Sequence, residues 1–274
     1  MQVSSAVSLF SGIGGFDLPL SQYNIEAEIL CEVDRGCGEI LKTHFKNSDC
    51  VEDVRSLENL PSDIKLLTAG FPCQDLSQAG TTQGIKGERS GLVYEVFRLL
   101  EKSSPEWILI ENVPFILKLQ KGQGVREIVK YFQDNDYKWA YRIIDSIAFG
   151  VPQRRKRFFF LASKEHDPAP LLLEPSFKGA TNDDIDHLIG QNSYGFYWTE
   201  GTRGLGLAID SIPTLKGGSS VGVPSAPAIV LPSRKVITPT LLDAERLMGF
   251  SVDWTKPAEN KVRQSFRWKM LGNA

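Results

Sequence analysis

Short apolar runs alternate with amphipathic stretches over roughly the first 160 residues of the chain. The runs Ala6–Phe10, Ala27–Cys31, Ile64–Ala69 and Trp107–Ile110 have strand length, and a shorter one lies near Asp49–Val51. Between them, Arg35–Phe45 and Leu92–Lys102 carry apolar residues at helical spacing, in the second case Leu92, Val93, Val96, Leu99 and Leu100. A helix is also expected from the glycine turn Ser11–Gly15 to about Gln22, and another over Val125–Phe132. Trp139–Ile144 and Arg157–Ala162 read as further strands. Strands alternating with helices predict an α/β fold, a mostly parallel sheet with helices on both faces.

The texture changes after about Pro168. From there to Pro239 the chain is rich in Pro, Gly, Ser and Thr, which predicts a small, irregular, partly β region. Between Glu174 and Thr240 it carries five Lys/Arg against six Asp/Glu, so its charge is near neutral. Helical spacing returns over Leu241–Phe250, with Thr240 placed as a cap.

Composition narrows the class. The 274 residues are 42% apolar and 23% charged, an ordinary soluble globular profile. No apolar run approaches the ~20 residues of a membrane span, and the N-terminus lacks a signal-peptide pattern. Four cysteines (Cys31, Cys37, Cys50, Cys73) show neither disulfide-framework nor metal-ligand spacing, and three scattered histidines build no zinc cluster with them. A reducing cytoplasm and no metal are expected. A net charge of −2 excludes a protein that coats nucleic acid through bulk basicity, while leaving room for a local basic groove.

Four clusters carry candidate chemistry. Cys73 follows Pro72 where the Ile64–Ala69 strand runs out, on a Gly/Ser/Gln stretch reaching about Gly91; a free cysteine is more often a small buried hydrophobe, but a thiol at a strand's carboxyl end is where an α/β enzyme places a nucleophile. Phe10-Ser11-Gly12-Ile13-Gly14-Gly15 lets backbone approach a ligand. Glu32 lies 20 residues beyond Gly12, the spacing of a carboxylate that takes a ribose hydroxyl. Asp53, after the third strand, is placed to accept from an adenine amino group; a solvated acid or a helix cap is the bland alternative for both. Glu111-Asn112 follows the Trp107–Ile110 strand, where partial desolvation suits a carboxyl group to giving a proton, although a turn-capping acid has the same pattern. In Gln153-Arg154-Arg155-Lys156-Arg157, alternation sends Arg155 and Arg157 to one face, suited to a phosphate or base edge; a solvated basic edge is the ordinary meaning of such a run.

Taken in order, these motifs resemble the cytosine-C5 DNA methyltransferases over nearly the whole chain. Phe10-x-Gly12-x-Gly14-Gly15 is similar to that family's S-adenosylmethionine motif, Pro72-Cys73-Gln74 to its nucleophile motif and Glu111-Asn112-Val113 to its proton-donor motif. Gln153–Arg157 resembles its Q-R-x-R-R type motif, Arg234–Phe250 the motif closing target recognition, and Leu271-Gly272-Asn273-Ala274 the start of the last motif. The resemblance implies a Rossmann-like catalytic domain at 1–168, a target-recognition domain at 169–235 and a return to the catalytic domain at 236–274. It implies S-adenosylmethionine as cofactor, held by Phe10, Gly12, Gly14, Gly15, Glu32, Asp53, Leu92 and Asn273, with S-adenosylhomocysteine as product. It implies double-stranded DNA as partner, with a cytosine flipped out, attacked at C6 by Cys73, assisted by Glu111 at N3 and Arg155 on the O2 side. Pro72 and Asn112 shape the pocket, while Gln74, Ser77, Arg89, Arg157 and Arg203 meet DNA. A restriction–modification enzyme of a bacterial or phage host is expected.

Two features depart from the pattern. Val33 stands where many members carry an adenine-stacking aromatic. The last motif is only begun at Ala274, so either more chain or a second polypeptide completing it is expected. A relative acting on tRNA, a binding partner without catalysis and, more distantly, an NAD-dependent enzyme are the competing readings.

Overall fold

The computed structural model describes residues 5–72, 91–173, 192–197, 207–216 and 227–274. Among these, the chain packs as two compact units, Met1–Ile143 with Arg157–Glu174, and Ile144–Lys156 with Pro175–Ala274. No helix among the described residues is long and apolar enough to cross a membrane.

The first unit is built on a seven-stranded sheet. Its strands are β1 (Ser5–Leu9), β2 (Glu26–Cys31), β3 (Asp49–Val51), β4 (Leu66–Ala69), β5 (Trp107–Asn112), β6 (Lys138–Asp145) and β8 (Lys156–Ser163), in the order β3-β2-β1-β4-β5-β8-β6. The ladders from β3 to β5 are parallel, and β8 runs antiparallel to β5. The carboxyl ends of β1 to β5 therefore share one edge with the amino end of β8. In open α/β sheets that edge is where ligands bind.

Both faces of the sheet are covered, as the alternation predicts. On one, Val7, Leu9, Leu67, Ala69, Ile108, Ile110, Phe158 and Phe160 pack with Val93, Val96 and Leu100 of the helix Leu92–Lys102 and with Ile128 and Phe132 of the helix Gln123–Asp134. On the other, Ala6, Leu66 and Trp107 meet Leu20 of the helix Asp17–Gln22. This second face also holds polar groups. Asp17 is buried and accepts a bond from Ser8 Oγ at 3.2 Å. Its Oδ1, and Oγ1 of the cross-strand neighbour Thr68, have no partner among the described residues. Burial raises the Asp17 carboxyl from 3.8 to about 7.

In the second unit, β7 (Gln153–Arg154) pairs in parallel with β11 (Ile212–Pro213). A four-stranded sheet runs β10 (Ala208–Ile209), β9 (Tyr194–Phe196), β12 (Ala228–Val230) and β13 (Val236–Ile237). The expected partly β character is present. The helix Leu241–Leu247 starts at Thr240, whose hydroxyl and Asp243 cap each other's amides. Within that helix Glu245 is 0% exposed and accepts from Asp253 N at 2.7 Å, Thr255 N at 2.9 Å and Thr255 Oγ1 at 2.5 Å. Arg267, on the helix Gln264–Asn273, lies 3.7 Å from Glu245 and donates to Thr255 Oγ1 at 2.9 Å.

Candidate active site at the carboxyl edge of the sheet

The chain leaves β1 through Phe10, whose φ of +59° is left-handed although it has a side chain. A non-glycine residue held there marks a turn that its surroundings impose. Phe10 packs edge-on against Phe71, the residue before Pro72, with ring centroids 6.3 Å apart. Gly14 also has positive φ, and a Cβ there would fall 2.5 Å from the Phe45 ring, so only glycine fits. Glu32, at the end of β2, reaches back to this turn. Its Oε2 accepts from Gly12 N at 2.9 Å and its Oε1 from Asp34 N at 2.8 Å. Burial raises the Glu32 carboxyl above its ordinary range, and the two amide bonds oppose that rise.

Asp53 caps the short turn Val54–Ser56, its Oδ1 accepting from Arg55 N at 2.9 Å. This is the helix-cap alternative that the sequence left open for Asp53. Leu92 is half-buried at the start of its helix, against the main core. Val33 is 74% exposed beside Glu32. Gly12 and Gly15 each have open space where a Cβ would stand.

At the ends of β4 and β5, Asn112 links two of the candidate segments. Asn112 Nδ2 donates to Phe71 O at 2.8 Å, and its Oδ1 accepts from Val113 N at 2.9 Å. This buried amide ties the end of β5 to the residue before Pro72, which is exposed. Glu111 pairs with Arg157, Oε1 to Nε at 2.8 Å, both side chains mostly buried. Burial pulls the Arg157 guanidinium below its ordinary value, and Glu111 opposes the fall. Gly70 leaves room for the carboxylate: a Cβ there would lie 3.3 Å from Glu111 Oε2. Gly70 and the Arg157–Glu111 partnership are features the sequence reading missed. Register supplies the reason for the second, since the antiparallel ladder sets Glu111 opposite Phe159 and brings Arg157 to the same edge.

The two arginines that alternation places on one face belong to different units. Arg155 is buried, its N–H donates to Asp145 Oδ1 at 2.9 Å, and its guanidinium donates to the carbonyls of Gly272, at 3.2 Å, and Ala274. It holds the start of the last motif. Gln153, fully buried, similarly donates to Leu247 O at 2.9 Å and accepts from Leu215 N at 3.1 Å. Asn273 is exposed at the end of its helix. Cys73, Gln74, Ser77, Arg89 and Arg203 lie outside the described residues.

Among the described residues, Glu106, Glu165 and His166 each offer one ligand atom within 4.8 Å of the others. Lys65 Nζ stands 3.4 Å from Glu106 and already supplies a cation there, and His166 stacks on Trp107. The group reads as an ion-pair network. Cys31, Cys37 and Cys50 are free thiols.

A mostly parallel sheet with helices on both faces, a glycine turn closed by a strand-end carboxylate and an acid–amide pair two strands away define a Rossmann-like methyltransferase. The family model for C-5 cytosine-specific DNA methylase matches residues 4–222. The chain belongs to that family. It is 44% identical to the Type II methyltransferase M2.BsuMI of Bacillus subtilis (strain 168), over 98% of this chain and 71% of that protein. It is 27% identical to the Type II methyltransferase M.DsaV of Dactylococcopsis salina, over 98% of this chain and 81% of that one. The crystal structure of S. pombe Dnmt2 methyltransferase shares the fold, with a TM-score of 0.69 at 18% identity, over 98% of this chain and 94% of that one. The chain is a DNA cytosine methyltransferase.

Proposed function

We propose that this enzyme methylates C5 of a cytosine flipped out of duplex DNA, through a covalent Cys73 adduct, with S-adenosylmethionine as methyl donor. The observation that carries the reading is the bond from Asn112 to Phe71 O together with the Glu111–Arg157 pair. It tethers the nucleophile's strand end to the acid's. The turn fits an adenosine cofactor: Glu32 is fixed by Gly12 N and Asp34 N, and Phe10, Gly12 and Gly14 curl with positive φ beside it. Phe10, Gly15, Glu32, Asp53, Leu92 and Asn273 are its proposed contacts. When bound, S-adenosylmethionine supplies an electrophilic methyl group and leaves as S-adenosylhomocysteine.

The chain's residues act on the base. The Cys73 thiolate adds to C6, and the electron pair moves to C5, which takes the methyl. Glu111 donates to or protonates N3 and so stabilises the charge developing in the ring. Arg157, held on Glu111 at 2.8 Å, fixes that carboxyl, and Arg155 is the proposed contact on the base's O2 side. Arg155 secures the last motif through Gly272 and Ala274. A base then removes the C5 proton and the thiolate leaves. Gln74, Ser77, Arg89 and Arg203 are proposed DNA contacts.

The test is transfer of labelled methyl from S-adenosylmethionine to duplex DNA and, in parallel, to tRNA. Label is expected at cytosine C5 in duplex DNA and none after Cys73→Ala. Label that survives the substitution overturns the assigned nucleophile, and label confined to tRNA overturns the DNA substrate.

A further inference from the structure

The segment that follows Glu111 and Asn112 has features that the chemistry above leaves unused. Phe115 is 57% exposed, although its neighbour Ile116 is fully buried in the main core. Lys118, Gln120 and Lys121 are exposed behind it. Between Asn112 and Glu127 the chain carries three cations, Lys118, Lys121 and Arg126, and no acidic residue. The backbone is strained as well. Gln120 (φ +46°) and Lys121 (φ +57°) are consecutive left-handed residues with side chains, followed by Gly122 at +83°. Arg126 Nη1 holds the kink by donating to Lys121 O at 2.9 Å, and Lys121 N donates to Lys118 O at 3.1 Å. Two left-handed non-glycine residues in a row, pinned by an arginine, fix the backbone path at Lys121.

Because β5 is parallel to β4, this segment emerges at the sheet edge that carries Pro72 and Glu111. We propose that residues 113–126 form a DNA-backbone clamp, in which Lys118 and Lys121 each take a phosphate near the flipped cytosine and Phe115 packs an apolar face on the adjoining nucleotide. This rests on the reading of Glu111 as the base-facing acid. With a net charge of −2, attraction to DNA must come from local patches such as this one. A lysine contacts phosphate as a point charge and reads no sequence, so the clamp positions the duplex without selecting the site.

The experiment measures affinity for a mixed-sequence duplex across a salt series, for the wild type, for Lys118→Ala with Lys121→Ala, and for Phe115→Ala. Each phosphate contact adds about 0.9 to the slope of log affinity against log salt, so the double lysine variant should bind with a slope shallower by about 1.8. Phe115→Ala should weaken binding roughly tenfold at every salt concentration with the slope unchanged, and Phe115→Tyr should restore it. Cofactor affinity and the unfolding midpoint, measured on the same samples, identify any loss of fold. A folded lysine variant that keeps the wild-type slope overturns the clamp, as does a Phe115→Ala protein with wild-type affinity. A wild type that binds no duplex would instead sink the DNA reading itself, which separates the two failures.

Discussion

Glu111 and Glu245 both face an arginine, in different compact units, and their settings differ in kind. Glu245 is sealed: two backbone amides, one hydroxyl and Arg267 surround its two oxygens, and none of it reaches solvent. Glu111 has one guanidinium 2.8 Å from Oε1, a glycine beneath Oε2 and 23% of its side chain open at the sheet edge. The sealed pair joins the helix of Glu245 to Thr255 and to the helix of Arg267. The open pair keeps part of its carboxyl group exposed at the sheet edge. The two acid–arginine pairs thus differ in how far they are exposed, and residue identity alone does not separate them.

Substituting each acid is the strongest way to break that contrast. Glu245→Ala removes the buried acid beside Arg267, leaving it only the exposed Glu259 at 3.5 Å, and is expected to cost up to about 3–5 kcal/mol of stability in urea unfolding. Glu111→Gln keeps the shape and a hydrogen-bonding group beside Arg157 and should cost less stability than Glu245→Ala. Its kcat for methyl transfer should fall by roughly 10²–10⁴. Comparable destabilisation by both, with comparable activity per folded molecule, would erase the distinction.

The sheet face beneath Glu111 supplies a second contrast, a buried acid without a cation. The Asp17 carboxyl rises from 3.8 unfolded to about 7 folded, mainly through burial. The sign follows from proton binding: between those values the folded chain holds the proton that the unfolded chain has lost. Stability from this group is therefore full below about pH 4, falls as pH rises toward 7 and is level above. Asp17→Asn removes the dependence. Its unfolding free energy should match the wild type near pH 4 and exceed it at pH 8 by at most about 4 kcal/mol. A difference that does not change with pH would show that Asp17 is not a buried neutral acid.

Asp17 also shows where the sequence stopped being informative. Beside Phe16 and Leu18 it looks like an ordinary acid in a helix's first turn, and only packing against the sheet, where Ser8 donates to it, makes it buried. The alternation of strands and helices was legible because each element carries its own period; the helix Leu92–Lys102 has the limits its spacing predicts. The strand order was not. Insertion of β8 between β5 and β6 depends on pairing between segments about 50 residues apart, which leaves no local period. The arginine run was half legible. Arg155 and Arg157 both turn inward as alternation requires, while Arg154 and Lys156 are exposed. Arg155, however, sits at the break between β7 and β8, and alternation does not say which partner each arginine meets. Glu32 was read through its spacing from Gly12, and the bond between them is observed.

Gly70 tests the open site more finely. Gly70→Ala places a methyl 3.3 Å from Glu111 Oε2 and 4.0 Å from the Phe16 ring, so the carboxylate must shift by a few tenths of an ångström. Misplacing a catalytic group on that scale is expected to lower kcat about tenfold, with DNA affinity and the unfolding midpoint near wild type. A full wild-type rate would mean that Glu111 works without a fixed position.

The smallest expected effect is the most diagnostic of how the exposed segment after Glu111 is used. Lys121→Gly relieves one left-handed residue, which should stabilise the fold by about 1 kcal/mol, less the entropy glycine regains in the unfolded chain. The same change removes a cation from the proposed clamp. If the strain serves DNA binding, stability rises while duplex affinity falls and its salt slope becomes shallower by about 0.9. Lys121→Asn, which tolerates the left-handed region, should reproduce the affinity loss with a smaller stability gain. Gains in both properties together would mean that the kink only closes a turn, and that the open side of the Glu111 site holds DNA elsewhere.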